Sequence, residues 1–385
     1  MWWVTKSPQM QPLAHACVSR SGPALVAFMG VSLWLSATSA NAVLFYSTGD
    51  PTYNTTAPGG SLTNSGWQFE GLWGGFLGTP IKPKYFLTAS HIGGSVGDPF
   101  IFRGVPYTTT AVYDDPSSDL RIWRICGTFP DYAQIYTNTD ETNKSFVVFG
   151  RGTQRGTPVT TTNFLGTVKT NGWSWDWSLY DGVERWGTNV VAAIVNGDGV
   201  LGSGSIGEVL QAAFDAGGGP DECHLSVGDS AGGVFIQDGS AWKLAGINYA
   251  VDGPYNTTSS GAGFDAAIFD GRGLYQEDAN NVWVPITGAT PQPGSFYSTR
   301  VSAHVAWINS VINGPTPNDN TPTLQSSADV SGQYVDEMSA VVNDASKTIT
   351  LALPGGSRFY RLRACGPLTI QSIQVQGGNL ALTYQ

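Results

Sequence analysis

Charge is scarce in this chain. Lys, Arg, Asp and Glu together make up 12% of 385 residues, and histidine and cysteine occur four times each. A cytosolic helical protein normally carries about twice that share of charge. The 49 glycines, 13 tryptophans and 41% apolar content indicate instead a turn-rich, secreted, all-β chain with a large core and more than one domain. The sequence holds no phosphate-cradling glycine loop and no His/Cys/Asp/Glu cluster at metal-ligand spacing, so no cofactor and no metal is implied.

Residues 1–42 read as a signal peptide. Lys6 and Arg20 are their only charged side chains, Ala24 to Leu35 is mostly apolar, and Ala40-Asn-Ala42 fits a small-residue cleavage site. The apolar run is too short for the ~20 residues of a membrane span. Cleavage is expected after Ala42, with Met10 or Met29 as alternative starts. Removing Lys6 and Arg20 from the 19 basic residues leaves 17 against 29 acidic ones, a formal net charge of −12. That charge argues against nucleic acid and anionic lipid as partners, and no second apolar span follows. Three cysteines remain, Cys126, Cys223 and Cys365, and an odd count leaves at least one outside any intrachain bridge.

The densest stretch is Ser226-Val-Gly-Asp-Ser-Ala-Gly-Gly-Val-Phe-Ile236. Glycines at 228, 232 and 233 are expected to let a substrate backbone approach the Ser230 hydroxyl and to supply unusual dihedrals, and the apolar residues that follow lead into a buried strand. Gly228-Asp-Ser-Ala-Gly232 also fits the G-x-S-x-G turn of α/β-hydrolases, and such clusters are often ordinary turns. A nucleophilic serine requires a base and an orienting carboxylate. His15 falls in the leader and His304 in a helical pattern, leaving His91 and His224. His91 ends Lys84-Tyr-Phe-Leu-Thr-Ala-Ser-His91, and Asp119 opens Asp119-Leu-Arg-Ile-Trp-Arg-Ile125, with Asp114 and Asp115 competing for the carboxylate role. The chain order His, Asp, Ser is that of chymotrypsin, not of the α/β-hydrolases or subtilisin.

Leu87-Thr-Ala-Ser-His91, Asp119-Leu-Arg-Ile and Gly228-Asp-Ser-Ala-Gly232 resemble the three motifs of the trypsin/chymotrypsin-like serine peptidases, in their secreted bacterial type. Gly74-Gly-Phe-Leu77, Leu244-Ala-Gly-Ile-Asn248 and Ser298 to Ile308 resemble further family stretches, so the likeness runs in order over roughly residues 60–313. It implies an all-β fold of two six-stranded antiparallel barrels. The first, from about Trp67 to Phe164, would carry His91 and Asp119; the second, roughly 185–300, would carry Ser230, with the site between them.

The resemblance also implies the roles. Ser230 would be nucleophile, His91 general base, Asp119 its orienter, and the N–H groups of Gly228 and Ser230 the oxyanion hole. Ala231 replaces the glycine that commonly follows the serine. His224 stands where the family places the floor of its primary specificity pocket. The family's aspartate for Lys/Arg is missing, and a protonated histidine there would favour an acidic side chain, unless it is simply a loop residue. Asp229 matches the acid that pairs with a newly freed N-terminus, which cleavage after Ala42 would place at Val43. Ser226 replaces the cysteine of a bridge beside the pocket. The implied activity is that of a secreted serine endopeptidase acting on proteins or peptides.

Ser302 to Asn313 has helical spacing, with Ser302 able to cap it, and would close the peptidase domain (43–313). A proline-rich linker (314–326) follows, then a small β module (327–385) with strand-like runs Thr348–Leu353, Arg358–Arg363 and Asn379–Tyr384 that resembles modules ending secreted bacterial proteins. Trp173, Trp175 and Trp177 alternate, as sheet packing or a sugar platform would require. Two other functions stay open: a serine esterase using Ser230, Asp265 and His304, and a catalytically silent, peptidase-like binding protein at the cell surface.

Overall fold

Short apolar runs cut by Gly, Pro and Asp fold as antiparallel strands, because each run is too short for a stable helix and ends in residues that turn the chain. The computed structural model describes residues 43–385 except 176, 177, 179, 200, 202, 203, 279, 315–320, 354–357 and 367. The expected leader, Trp177 and part of the linker lie outside the described residues.

Six strands, β1 (Gly71–Trp73), β2 (Phe76–Lys82), β3 (Tyr85–Ala89), β4 (Pro99–Phe102), β5 (Val105–Asp114) and β6 (Leu120–Ile125), close a barrel in the order β1-β2-β3-β6-β5-β4. Trp73, Phe86, Phe100, Phe102, Trp123 and Phe129 pack one of its cores, with the Phe86 and Phe100 rings stacked at 3.9 Å.

The second expected barrel is not closed. Strands β7 (Ser145–Gly150), β8 (Arg185–Val190), β9 (Ala193–Asn196), β10 (Glu208–Ala213), β11 (Gly233–Asp238), β12 (Ala241–Val251) and β13 (Ser295–Arg300) form one seven-stranded sheet, ordered β8-β7-β11-β12-β13-β10-β9. The chain from β8 back towards β10 is joined by a side chain in place of a ladder. Asn189 Nδ2 donates to Ala213 O (2.8 Å), Cys223 O (3.0 Å) and Glu222 Oε1 (3.1 Å). The run Phe146–Phe149, expected in the first barrel, belongs to this sheet as β7, where Phe146, Val147 and Val148 pair with Ile236, Phe235 and Val234 of β11.

One core joins the two halves: Leu77, Leu87 and Ile122 from the barrel meet Phe149, Phe235 and Ile247 from the sheet, with Val301 and Ile308. Val301 belongs to a 3₁₀ turn at Val301–His304 and Ile308 to the C-terminal helix α1 (Val305–Ile312) that follows it. Ser302 does not cap it: its hydroxyl donates to the buried Glu141, which also pairs with Arg300 at 2.7 Å.

After residue 320 the chain forms two small sheets around Leu324, Ile349, Leu351, Leu380, Leu382 and Tyr384. The strands Thr348–Ala352, Phe359–Arg363 and Asn379–Tyr384 lie where alternation predicts them. The strand Thr323–Ser327 pairs with Phe359–Arg363, so the module's first strand begins inside the stretch read as linker.

Candidate active site

Neighbouring strands bring His91 and Asp119 together. Strands β3 and β6 pair antiparallel with Ala89 opposite Leu120, so His91, two residues beyond the end of β3, and Asp119, directly before β6, emerge at the same end of the pair. His91 Nδ1 lies 2.6 Å from Asp119 Oδ2, and the backbone N–H of His91 donates to Asp119 Oδ1 at 3.0 Å. With its proton held at Nδ1, the ring presents the Nε2 lone pair to the Ser230 hydroxyl 2.8 Å away. The Asp119 side chain is 8% exposed and that of His91 is 30% exposed, so the base reaches solvent while its orienter does not.

The two competing acids are engaged elsewhere. Asp114 takes both Arg121 nitrogens (2.5 and 3.0 Å), and Asp115 takes His304 Nδ1 at 2.6 Å. The trio Ser230, Asp265 and His304 is thus not brought together as a hydrogen-bonded unit.

Ser230 sits on a loop bent around Asp229. The Asp229 carboxylate is buried; Gly152 N (2.7 Å), Ser226 N (2.7 Å) and Ser226 Oγ (2.9 Å) all donate to it. Burial pushes its pKa up to about 6 against the pull of those donors and of the Val43 N–H. Val43 itself is fully buried, so the residue expected to follow the cleavage site already lies at this carboxylate. Ser226 Oγ also accepts from Thr153 N (2.9 Å) and lies 3.1 Å from Thr153 O, tying the loop by hydrogen bonds at the position read as a missing bridge. Cys126 and Cys223 are in the reduced form.

The three glycines do different work from that expected. Only Gly228 (φ 99°) uses dihedrals closed to other residues. A Cβ at Gly232 would lie 2.0 Å from Phe149 O, and one at Gly233 would lie 2.5 Å from Glu70 Oε1, so these two admit the protein's own backbone and core rather than a substrate. The left-handed residue next to the serine is Ala231 (φ 65°), whose N–H donates to Asn248 O. The N–H groups of Gly228 and Ser230 meet no acceptor among the described residues.

His224 is fully buried. Its ring lies 5.5–5.9 Å from those of Phe214, Phe296 and Trp175, and its Nδ1–H donates to Leu225 O at 2.6 Å. Burial lowers its pKa to about 4, so at neutral pH the ring is neutral, and the arrangement gives no support to a cation reading acidic side chains. Trp173 and Trp175 are buried too, Trp173 beneath the Arg155 guanidinium at 3.3 Å, which favours packing over a sugar platform.

Sequence reasoning passed over Tyr249, whose ring stands edge-on to His91 at 5.7 Å and whose hydroxyl donates to Leu201 O. Burial, with the Asp119 charge nearby, pushes its pKa up to about 12. Its signal was its place directly after the matched stretch Leu244–Asn248. No metal-holding group of His, Cys, Asp or Glu occurs among the described residues.

No family model matches the chain, and no curated protein matches it. Among solved structures it is similar to kallikrein-related peptidase 10, with 13% identity and a TM-score of 0.36, over 66% of this chain and 99% of that one. A likeness that slight bears no weight; the predominantly β fold, its closed barrel and the site stand on the strand pairing and distances above.

Proposed function

We propose that this protein is a serine endopeptidase, exported by its N-terminal leader, that hydrolyses peptide bonds through His91, Asp119 and Ser230. One observation carries the reading: Ser230 Oγ, His91 Nε2, His91 Nδ1 and Asp119 Oδ2 form an unbroken line of hydrogen bonds of 2.8 and 2.6 Å. Nucleophile, base and orienter come from separate strand ends, and such a line is what acyl transfer by a serine requires.

In this mechanism Ser230 Oγ attacks the scissile carbonyl carbon as its proton passes to His91 Nε2. The carbonyl oxygen becomes an oxyanion held by the N–H groups of Gly228 and Ser230, each typically worth roughly 3 kcal/mol. Collapse of this tetrahedral species breaks the C–N bond, and His91 gives its proton to the departing amine. Water, deprotonated by His91, then attacks the Ser230 ester; the acid product leaves and the serine recovers its proton. Asp119 holds the ring and stabilises its cation throughout without taking the proton.

The test compares residues 43–385 with the same chain carrying Ser230→Ala, each incubated with an unfolded protein, while mass spectrometry reads the new termini. Cleavage by the parent alone supports the reading. If the parent leaves the substrate intact and Ser230 resists a fluorophosphonate label, the reading fails, and a peptidase-like binding protein takes its place.

A further inference from the structure

We propose that Asp115 and His304 form a positioning unit that sets Asp119 in place and so couples the C-terminal helix to the active site; the inference rests on the peptidase reading above. Asp119 makes no side-chain bond within its own turn. Among the described residues its carboxylate is hydrogen-bonded to His91 alone, through Nδ1 and the backbone N–H. The place of that carboxylate therefore follows from the backbone of residues 115–119, which link β5 to β6.

This turn hangs on the buried carboxylate of Asp115. Oδ1 accepts from Ser117 N (3.0 Å) and Ser117 Oγ (2.8 Å), and Oδ2 accepts from Ser118 Oγ (2.9 Å). Ser118 Oγ in turn accepts the N–H of Leu120 at 3.2 Å, and Asp115 N–H donates to Leu120 O at 2.9 Å. Both neighbours of Asp119 in the chain are thus tied to one acid.

That acid is joined to the rest of the protein by His304, whose Nδ1 lies 2.6 Å from Oδ2; the two side chains are 7% and 1% exposed. His304 ends the 3₁₀ turn that leads into α1, between Val301 and Ile308, both fully buried in the core shared by the two halves. The anchor is therefore a rigid one. Gly207 (φ +67°) closes over the pair: a Cβ there would stand 2.8 Å from Ser117 O and 3.5 Å from His304 Nε2, so only glycine lets this backbone approach. His304 Nε2 has no hydrogen-bond partner among the described residues. Without the imidazole donor, the Asp115 carboxylate would be buried with only hydroxyl and amide partners. The turn is then expected to open towards water.

The prediction is a loss of orientation with binding retained. A misplacement of about 1 Å can cost about 100-fold in rate. His304→Leu should therefore lower kcat about 10- to 100-fold per fluorophosphonate-titrated site, with KM unchanged. His304→Asn, whose side-chain amide keeps a donor near the Nδ1 position, should restore most of the rate.

A second readout does not depend on activity. The low-field proton resonance of the His91–Asp119 hydrogen bond, assigned by its loss in Asp119→Asn, should shift or broaden in His304→Leu and in Asp115→Asn and return in His304→Asn. The proposal is overturned if that resonance stays as in the parent in both variants, or if kcat per labelled site does. Should the parent neither cleave protein nor label at Ser230, the peptidase reading fails by itself, and the resonance still decides whether Asp115 and His304 position Asp119.

Discussion

Two His–Asp pairs stand four residues apart on the acid side, and the distance within each is the same 2.6 Å. They differ in what the far ring nitrogen meets. His91 Nε2 faces the Ser230 hydroxyl, with its ring partly open to solvent; His304 Nε2, under the backbone of Gly207, has no hydrogen-bond partner among the described residues. In the proposed mechanism an identical bond is therefore a base and its orienter in one place and an anchor in the other. What makes a dyad chemically active is the presence of a nucleophile and a route to solvent at the second nitrogen; short contact to a carboxylate does not distinguish the two.

The largest effects should separate the pairs in opposite directions. Ser230→Ala and His91→Ala should each lower kcat roughly 10⁶-fold, and Asp119→Asn roughly 10⁴-fold, because it holds the wrong tautomer. All three should leave the urea midpoint nearly unchanged. His304→Leu should do the reverse, destabilising by roughly 3–5 kcal/mol as a broken buried pair does. Its kcat loss should be orders of magnitude smaller than that of His91→Ala. If His91→Ala proved the more destabilising change, or His304→Leu the more inactivating one, the division of labour between the pairs would be wrong.

The open pair was legible in the sequence and the buried one was not, for a physical reason. Leu87 to His91 and Asp119 to Ile122 are contiguous motifs whose strands pair directly, so the meeting of their ends follows from local pattern. Asp115 and His304 are 189 positions apart, and each alone looks like a turn acid and a helix residue; only the docking of α1 joins them. The same limit explains the sheet. Alternation placed Phe146–Phe149 in a strand, but whether that strand joins the barrel or pairs with Val234–Ile236 depends on partners that periodicity does not specify. The second sheet does not close by a ladder, and what bridges β8 towards β10 is Asn189, a single side chain with no motif around it.

Buried carboxyls without an imidazole sharpen the contrast. Glu70 is packed between the barrel and β11; Thr79 Oγ1 donates to its Oε1 (2.9 Å), and its Oε2 has no hydrogen-bond partner among the described residues. Burial raises its pKa well above the usual range, and the charge of Glu184 adds to the rise. Glu184 is half-buried, with an Oε1 that is inaccessible and without a hydrogen-bond partner among the described residues, and loss of water around the carboxyl pushes it up to about 8 against the pull of Arg151. Its native pKa lies above the unfolded value, so stability is fully present below about pH 4.5 and is lost as pH rises through about 8. Glu184→Gln should flatten that slope: melting temperatures of the variant and parent should agree near pH 4.5, with the variant higher at pH 8. A parent that melts as high as the variant at pH 8 would show that the ionised form has a partner strong enough to offset burial.

The complementary case is a buried imidazole without a carboxylate. The His224 ring donates to Leu225 O among three aromatic rings, and burial holds its pKa at about 4 against the pull of the Leu225 and Ser295 backbone. The sign is opposite to that of Glu184. As pH falls below about 6.5 the unfolded chain gains a proton that the native ring refuses, so stability drops down to about pH 4 and levels off there. Across that interval the loss amounts to roughly 3 kcal/mol at most. His224→Leu should abolish this part of the acid dependence while giving up the bond to Leu225 O, so its urea midpoint should lie below the parent's at pH 7 and approach or pass it near pH 4. Peptide substrates test the same residue from the other side: with a neutral ring sealed among aromatics, preference for an acidic residue before the scissile bond should not strengthen between pH 7 and pH 6. If it strengthens in the parent and not in His224→Leu, the ring titrates in contact with substrate. His224 would then belong with His91, as a histidine whose far nitrogen has something to do.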